Sequence, residues 1–178
     1  MTNRRTVLLA VIILGGLAVV ASYVYGFLSH ADVRWDIWGG VPESLRPLYS
    51  VSMVLAAFGF FPFTLFILRR LEPSETRVAG RYGYSVFITL YLLVMAGSAA
   101  WMPLTYSMIL NPEPVTWAAI RIALGVVAVG SLGLLGSLIT VQPVTSTRWH
   151  RIAVAGCVLF NFQTVVLDAL VWTAYFPY

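Results

Sequence analysis

Lysine is absent from this 178-residue chain, and all eleven of its basic residues are arginine. Charge of either sign is scarce, at 10% of residues against about a quarter in a soluble domain, while 60% are hydrophobic. With a mean hydropathy of +0.86, the polar residues are too few to cover a water-soluble globule of 19.6 kDa. A disordered chain would need the opposite composition. Cysteine is nearly missing too. Cys157 stands alone, which excludes an internal disulfide, a thiol redox pair and a four-cysteine zinc site. The arginines are scattered between apolar runs and form no basic stripe, so a pI of 9.5 does not point to nucleic acid. Lipid is the solvent that remains.

A bilayer core about 30 Å thick takes about 20 apolar residues as a helix. Five such runs occur, at about 6–28, 48–68, 82–102, 117–141 and 152–175. In hydrocarbon every peptide group must be paired within its own segment, which leaves helices. The sequence therefore predicts an all-α integral membrane protein: a single domain, 1–178, built as a bundle of five transmembrane helices. The apolar stretch after Arg5 is too long for a secretory signal and reads as a signal-anchor and first span.

Cytoplasmic loops are enriched in arginine. With the amino end inside, the inner segments hold Arg4, Arg5, Arg69, Arg70, Arg77, Arg81, Arg148 and Arg151, and the outer loops keep only Arg34 and Arg46. This bias predicts a cytoplasmic N-terminus, an external C-terminus and a bacterial inner membrane. Trp35, Trp38, Trp101, Trp117, Trp172 and Tyr175 are then expected at the outer interface, and Trp149, Tyr82 and Tyr84 at the inner one. The longest connection, 29–47, alternates acid, base and aromatic residues and reads as a surface element able to act as a lid. Asn111-Pro112-Glu113-Pro114 is a break with the fourth helix starting just after it, while Pro62 and Pro103 predict kinks.

Two charges fall inside the last two spans, Arg121 and Asp168. A charge in hydrocarbon is costly unless paired or hydrated. Counted along the helices, they lie roughly 9 Å and 12 Å below the outer boundary, so the sequence predicts that they meet. Arg121, Gly125, Val129, Gly133 and Ser137 recur every fourth residue as a small face, and Asn161, Thr164, Asp168, Val171 and Tyr175 form a stripe that would pack on it. Trp117 and Trp172 stand four residues from the two charges, within reach for stacking on the guanidinium. Arg121, Asp168, Trp117, Trp172 and Asn161 are thus the candidate ligand-binding residues.

His30 and His150 are the residues able to ligate haem or pigment, but they fall at opposite faces and do not make a two-histidine site. No metal site is predicted, and the cofactor is unassigned. The five phenylalanines around Pro62 cover the whole helix circumference, which fits lipid contact and packing better than one pocket. No nucleophile-base pair, zinc-protease motif, phosphate loop or dinucleotide fingerprint appears, which makes an enzyme the less favoured class. The expected role is a non-catalytic accessory or assembly subunit of a larger membrane complex. Small-residue faces at Gly125, Gly133 and Ser137 and at Ala18, Ser22 and Gly26 would meet partner subunits or a second copy within the bilayer. The alternative is a binder or transporter of a small hydrophobic or anionic ligand, centred on the Arg121/Asp168 pair.

Overall fold

The computed structural model describes residues 3–144 and 146–177. Among them are five helices long and apolar enough to cross a membrane: α1 (Arg4–Ser29), α2 (Arg46–Arg70), α3 (Ser85–Leu110), α4 (Pro114–Thr140) and α5 (Thr147–Tyr175). Their ends follow local chemistry. The Asn3 side chain accepts the Arg5 amide at 3.0 Å to cap α1, and α4 begins on Pro114, whose missing amide hydrogen is no loss in a first turn. The third helix departs most from expectation. It runs through Pro103 to Leu110 and stops at Asn111, the residue before Pro112. Pro103 removes one hydrogen bond, whereas ending the helix there would leave several carbonyls unpaired in lipid. Trp101 therefore lies nine residues before the end of the helix.

The helices pack in the order α1, α3, α4, α5, α2, with only light contact closing α2 onto α1. The tightest approach is between α2 and α5, where two glycines face each other. A β-carbon on Gly59 would stand 2.5 Å from the Gly156 carbonyl oxygen, and one on Gly156 would stand 2.5 Å from that of Gly59. Small residues let backbones touch where lipid supplies no hydrophobic drive for association.

The every-fourth-residue face of α4 does not pack on α5 as the spacing implied. Residues four apart drift by about 40° on a helix. The stripe consequently starts on the exposed side at Arg121, stays open at Gly125 and Val129, and turns inward only at Gly133, against Leu90, and at Ser137. Contact with α5 is made instead through Ser131. Its carbonyl accepts from Asn161 Nδ2 at 3.0 Å, and its hydroxyl accepts from Thr164 at 2.9 Å.

The core has two apolar layers. One, towards the arginine-rich end, holds Phe63, Ile67, Tyr84, Phe87, Tyr91 and Leu138; the other holds Tyr49, Met108, Ile120, Leu124, Leu167 and Trp172. At the arginine-rich end, Arg5 Nη2 donates to the Leu71 carbonyl at 2.8 Å and to Glu72 at 2.9 Å. Strand β1 (Arg77–Val78) pairs antiparallel with β2 (Val141–Gln142), which ties two loops of that end together.

Candidate functional site: a polar cluster beneath the 30–45 loop

From Phe162 to Trp172, α5 is wound as a π-helix. Such i→i+5 winding is rare beyond single turns and frequent at functional sites. In an α-helix, side chains five residues apart point about 140° away from one another. The wider turn stacks them. Gln163 and Asp168 are brought together in this way, with Gln163 Nε2 donating to Asp168 Oδ1 at 2.7 Å. Gln163 is only 6% exposed, and its Oε1 has no hydrogen-bond partner.

Three other helices reach the same place. From α2, the Tyr49 hydroxyl donates to the Leu167 carbonyl at 2.7 Å, and one turn further Ser52 is 4% exposed with a buried hydroxyl that has no partner. From α3, the Trp101 ring lies 5.5 Å from that of Trp172, and its indole N–H is buried without an acceptor. From α1, Tyr23 meets Trp101 at 5.9 Å between ring centroids. The Tyr23 and Tyr49 hydroxyls lie within electrostatic reach of the Asp168 carboxylate. Counted from the helix ends at Ser29, Arg46, Leu110 and Tyr175, Tyr23, Ser52, Asp168 and Trp101 lie roughly 9 to 14 Å inside, with Tyr49 and Trp172 roughly 4 to 5 Å inside, nearer the loop. The cluster thus joins a carboxylate, an amide oxygen, hydroxyls and an indole N–H, with flat aromatic rings around them.

Arg121 is not part of it. Among the described residues the ion pairs are Arg5–Glu72 and Arg46–Glu43, and no arginine nitrogen lies within 4.0 Å of Asp168. The expected Arg121/Asp168 pair is therefore corrected on two physical grounds. Arg121 lies off the buried arc of α4, which runs through Ile120, Leu124, Val127 and Ser131, and is exposed with its head group free to reach an interface. The π-helix in turn rotates Asp168 out of the stripe that faces Ser131 and onto Gln163. Among the described residues, guanidinium contacts on tryptophan rings occur at Arg46 over Trp38 and at Arg70 over Trp149, not at Arg121.

The other candidates divide. Trp172 belongs to the cluster. Trp117 packs against it at 6.3 Å and stacks on Phe176 at 5.3 Å, one layer further out. Asn161 is used elsewhere, donating to the Ser131 and Cys157 carbonyls. His30 stacks on Tyr106 at 4.5 Å with Nδ1 3.1 Å from the Gly26 carbonyl; at the other end, His150 Nε2 lies 2.7 Å from the Leu138 carbonyl. Among the described residues no group of three His, Cys, Asp or Glu side chains is arranged to hold a metal ion.

The 30–45 loop closes over this end. The Ile37 carbonyl accepts from Trp172 Nε1 at 2.8 Å, the Gly40 amide donates to the Tyr175 carbonyl at 3.0 Å, and the Tyr106 hydroxyl donates to the Arg34 carbonyl at 3.2 Å. Gly39 has φ +54 against the Phe176 ring, and a β-carbon on Gly40 would collide with the Tyr175 carbonyl oxygen. Two adjacent glycines are what allow the loop to lie on the last turn. Gly40→Ala is expected to lift the loop, giving protease cleavage within 30–45 at least several times faster than in the parent while the helix content by circular dichroism stays the same. Equal cleavage rates would show that the loop is not held there.

Gln163, Ser52, Tyr49, Tyr23 and Trp101 were not candidates from the sequence. Of these, Gln163 stands out as a polar residue within an apolar run and Trp101 as an aromatic expected at an interface; the others carry no signal. No family model, no curated protein and no solved structure matches this chain.

Proposed function

We propose that this chain is a non-catalytic membrane protein that binds a small ligand beneath the 30–45 loop. The ligand has a flat apolar body and a protonated amine or similar hydrogen-bond donor, which Asp168 receives. The observation that carries this reading is a carboxylate turned into the bundle with no cation beside it. The Gln163 side chain that donates to it carries a buried amide oxygen without a partner. Ionisable groups within spanning helices are expensive to keep and mark ligand or ion sites. With Arg121 outside the cluster, an anion would find no cation there. The electrostatics favour a donor or a positive charge, and Trp101, Trp172 and Tyr23 supply ring faces for the flat body.

One ring system carrying three charges tests this. Tryptamine, indole and indole-3-acetate are added separately to the detergent-purified protein, and the melting temperature is read. Tryptamine is expected to raise it with increasing concentration, indole weakly, and indole-3-acetate not at all. An equal response to all three, or a preference for the acid, overturns the reading.

A second reading, a small subunit working beside other membrane proteins, has its own support. α1 is held by α3 almost alone, and Gly16, Gly125 and Gly136 have nothing within 4 Å to meet a β-carbon. Stoichiometric co-purification with another chain from native membranes would favour it. In either case we place the arginine-rich end in the cytoplasm of a bacterial inner membrane, supported by eight arginines at that end. Alkaline phosphatase fused after the last residue is expected to be active. An inactive but stable fusion would reverse the orientation.

A further inference from the structure

We infer that the groove between α2 and α5 at the arginine-rich end binds one anionic phospholipid, with its phosphate at Arg69 and Arg70 and an acyl chain lying along Phe61 and Leu65. The groove has a volume of about 310 Å³, and Phe61, Leu65, Trp149 and Ile152 line it. Phe61, Leu65 and Arg69 are spaced i, i+4 and i+8 on α2, so they form one row about 12 Å long that passes from apolar to cationic. That is the polarity profile of a phospholipid from chain to headgroup.

Charge complementarity selects the anionic class. Arg69 and Arg70 are exposed, and among the described residues neither has a carboxylate within 4.0 Å. The acid nearest in sequence, Glu72, is taken by Arg5 at 2.9 Å. Arg148 and Arg151, near Trp149 at the start of α5, are also exposed and, among the described residues, also without an acidic partner within 4.0 Å. The Arg70 guanidinium lies 5.7 Å from the centre of the Trp149 ring, an indole placed where such rings prefer headgroup level. Basic pockets between helices on the cytoplasmic side take anionic headgroups, each arginine contributing a modest and additive attraction. This site lies at the opposite end of the bundle from Asp168 and does not depend on what binds there.

Native mass spectrometry of the detergent-purified protein, titrated with phosphatidylglycerol or phosphatidylcholine of matched chains, is the test. A single phosphatidylglycerol adduct is expected at concentrations about tenfold lower than any phosphatidylcholine adduct. Arg69→Gln with Arg70→Gln should abolish that preference, whereas Arg77→Gln with Arg81→Gln should keep it. Glycerol phosphate, which has the headgroup charge without chains, should not displace the lipid. Equal binding of the two lipids overturns the proposal, as does an unchanged preference in the Arg69/Arg70 variant that melts like the parent. Displacement by glycerol phosphate would make the site one for free phosphate. A dimer that disappears in that variant would make it a contact with a second copy.

Discussion

Gly156→Ala is expected to destabilise the protein by about 3 kcal/mol, the upper part of the range for forcing extra atoms into a packed interior. The added carbon would stand 2.5 Å from the Gly59 carbonyl oxygen, with the carbonyl carbon and α-carbon of Gly59 both 3.3 Å away. These are backbone atoms of a helix, so no side chain can swing aside. α2 and α5 must separate along one of the broadest interfaces of the bundle. Gly59→Ala should behave alike, since it meets Gly156 in the same way. The control is Gly136→Ala, at a helical position with nothing within 4 Å. There the lower flexibility of alanine should leave stability unchanged or raise it by up to about 1 kcal/mol. Melting followed by circular dichroism in detergent distinguishes them. If Gly156→Ala and Gly136→Ala melt together, the helices do not cross as described.

Asp168→Asn is expected to abolish the tryptamine response, a loss of at least about tenfold in affinity, while leaving the bundle as stable as before or more so. Asparagine keeps an oxygen for Gln163 Nε2, which now donates at 2.7 Å. What disappears is a carboxylate with no cation to offset its removal from water. An ion-paired aspartate would respond in the opposite way, because losing one partner strands the other. Ligand titration and thermal melting on the same preparation separate the two effects. Retained tryptamine binding in the variant would remove Asp168 from the site.

Five helices long and apolar enough to cross a membrane, and the break before α4, were legible because each rests on local composition: apolar runs of the right length, and Pro112 and Pro114 at a helix boundary. The site was legible only in part. Asp168 and Trp172 stood out by type and depth. Their partners did not, for three physical reasons. The π-helix changes which residues share a face, so a 3.6-residue period assigns Asp168 to Thr164 and Asn161 rather than to Gln163. The length of α3 hid Trp101, because Pro103 resembles a terminus when hydropathy alone is read. Tyr23 and Ser52 are ordinary residues made distinctive only by what surrounds them in space. Depth and the every-fourth-residue stripes together suggested that Arg121 and Asp168 meet. The angle around the helix, which drifts by about 40° over every four residues, decided otherwise.

A double-mutant cycle on Arg121→Gln and Asp168→Asn, read as unfolding free energies in one detergent, tests the central claim most directly. A carboxylate held inside the bundle by Gln163, with Arg121 on the outer surface, predicts additive effects and a coupling within about 0.5 kcal/mol of zero. A coupling above about 1.5 kcal/mol, with the double variant recovering what the single ones lose, would put the two charges in contact and contradict the account.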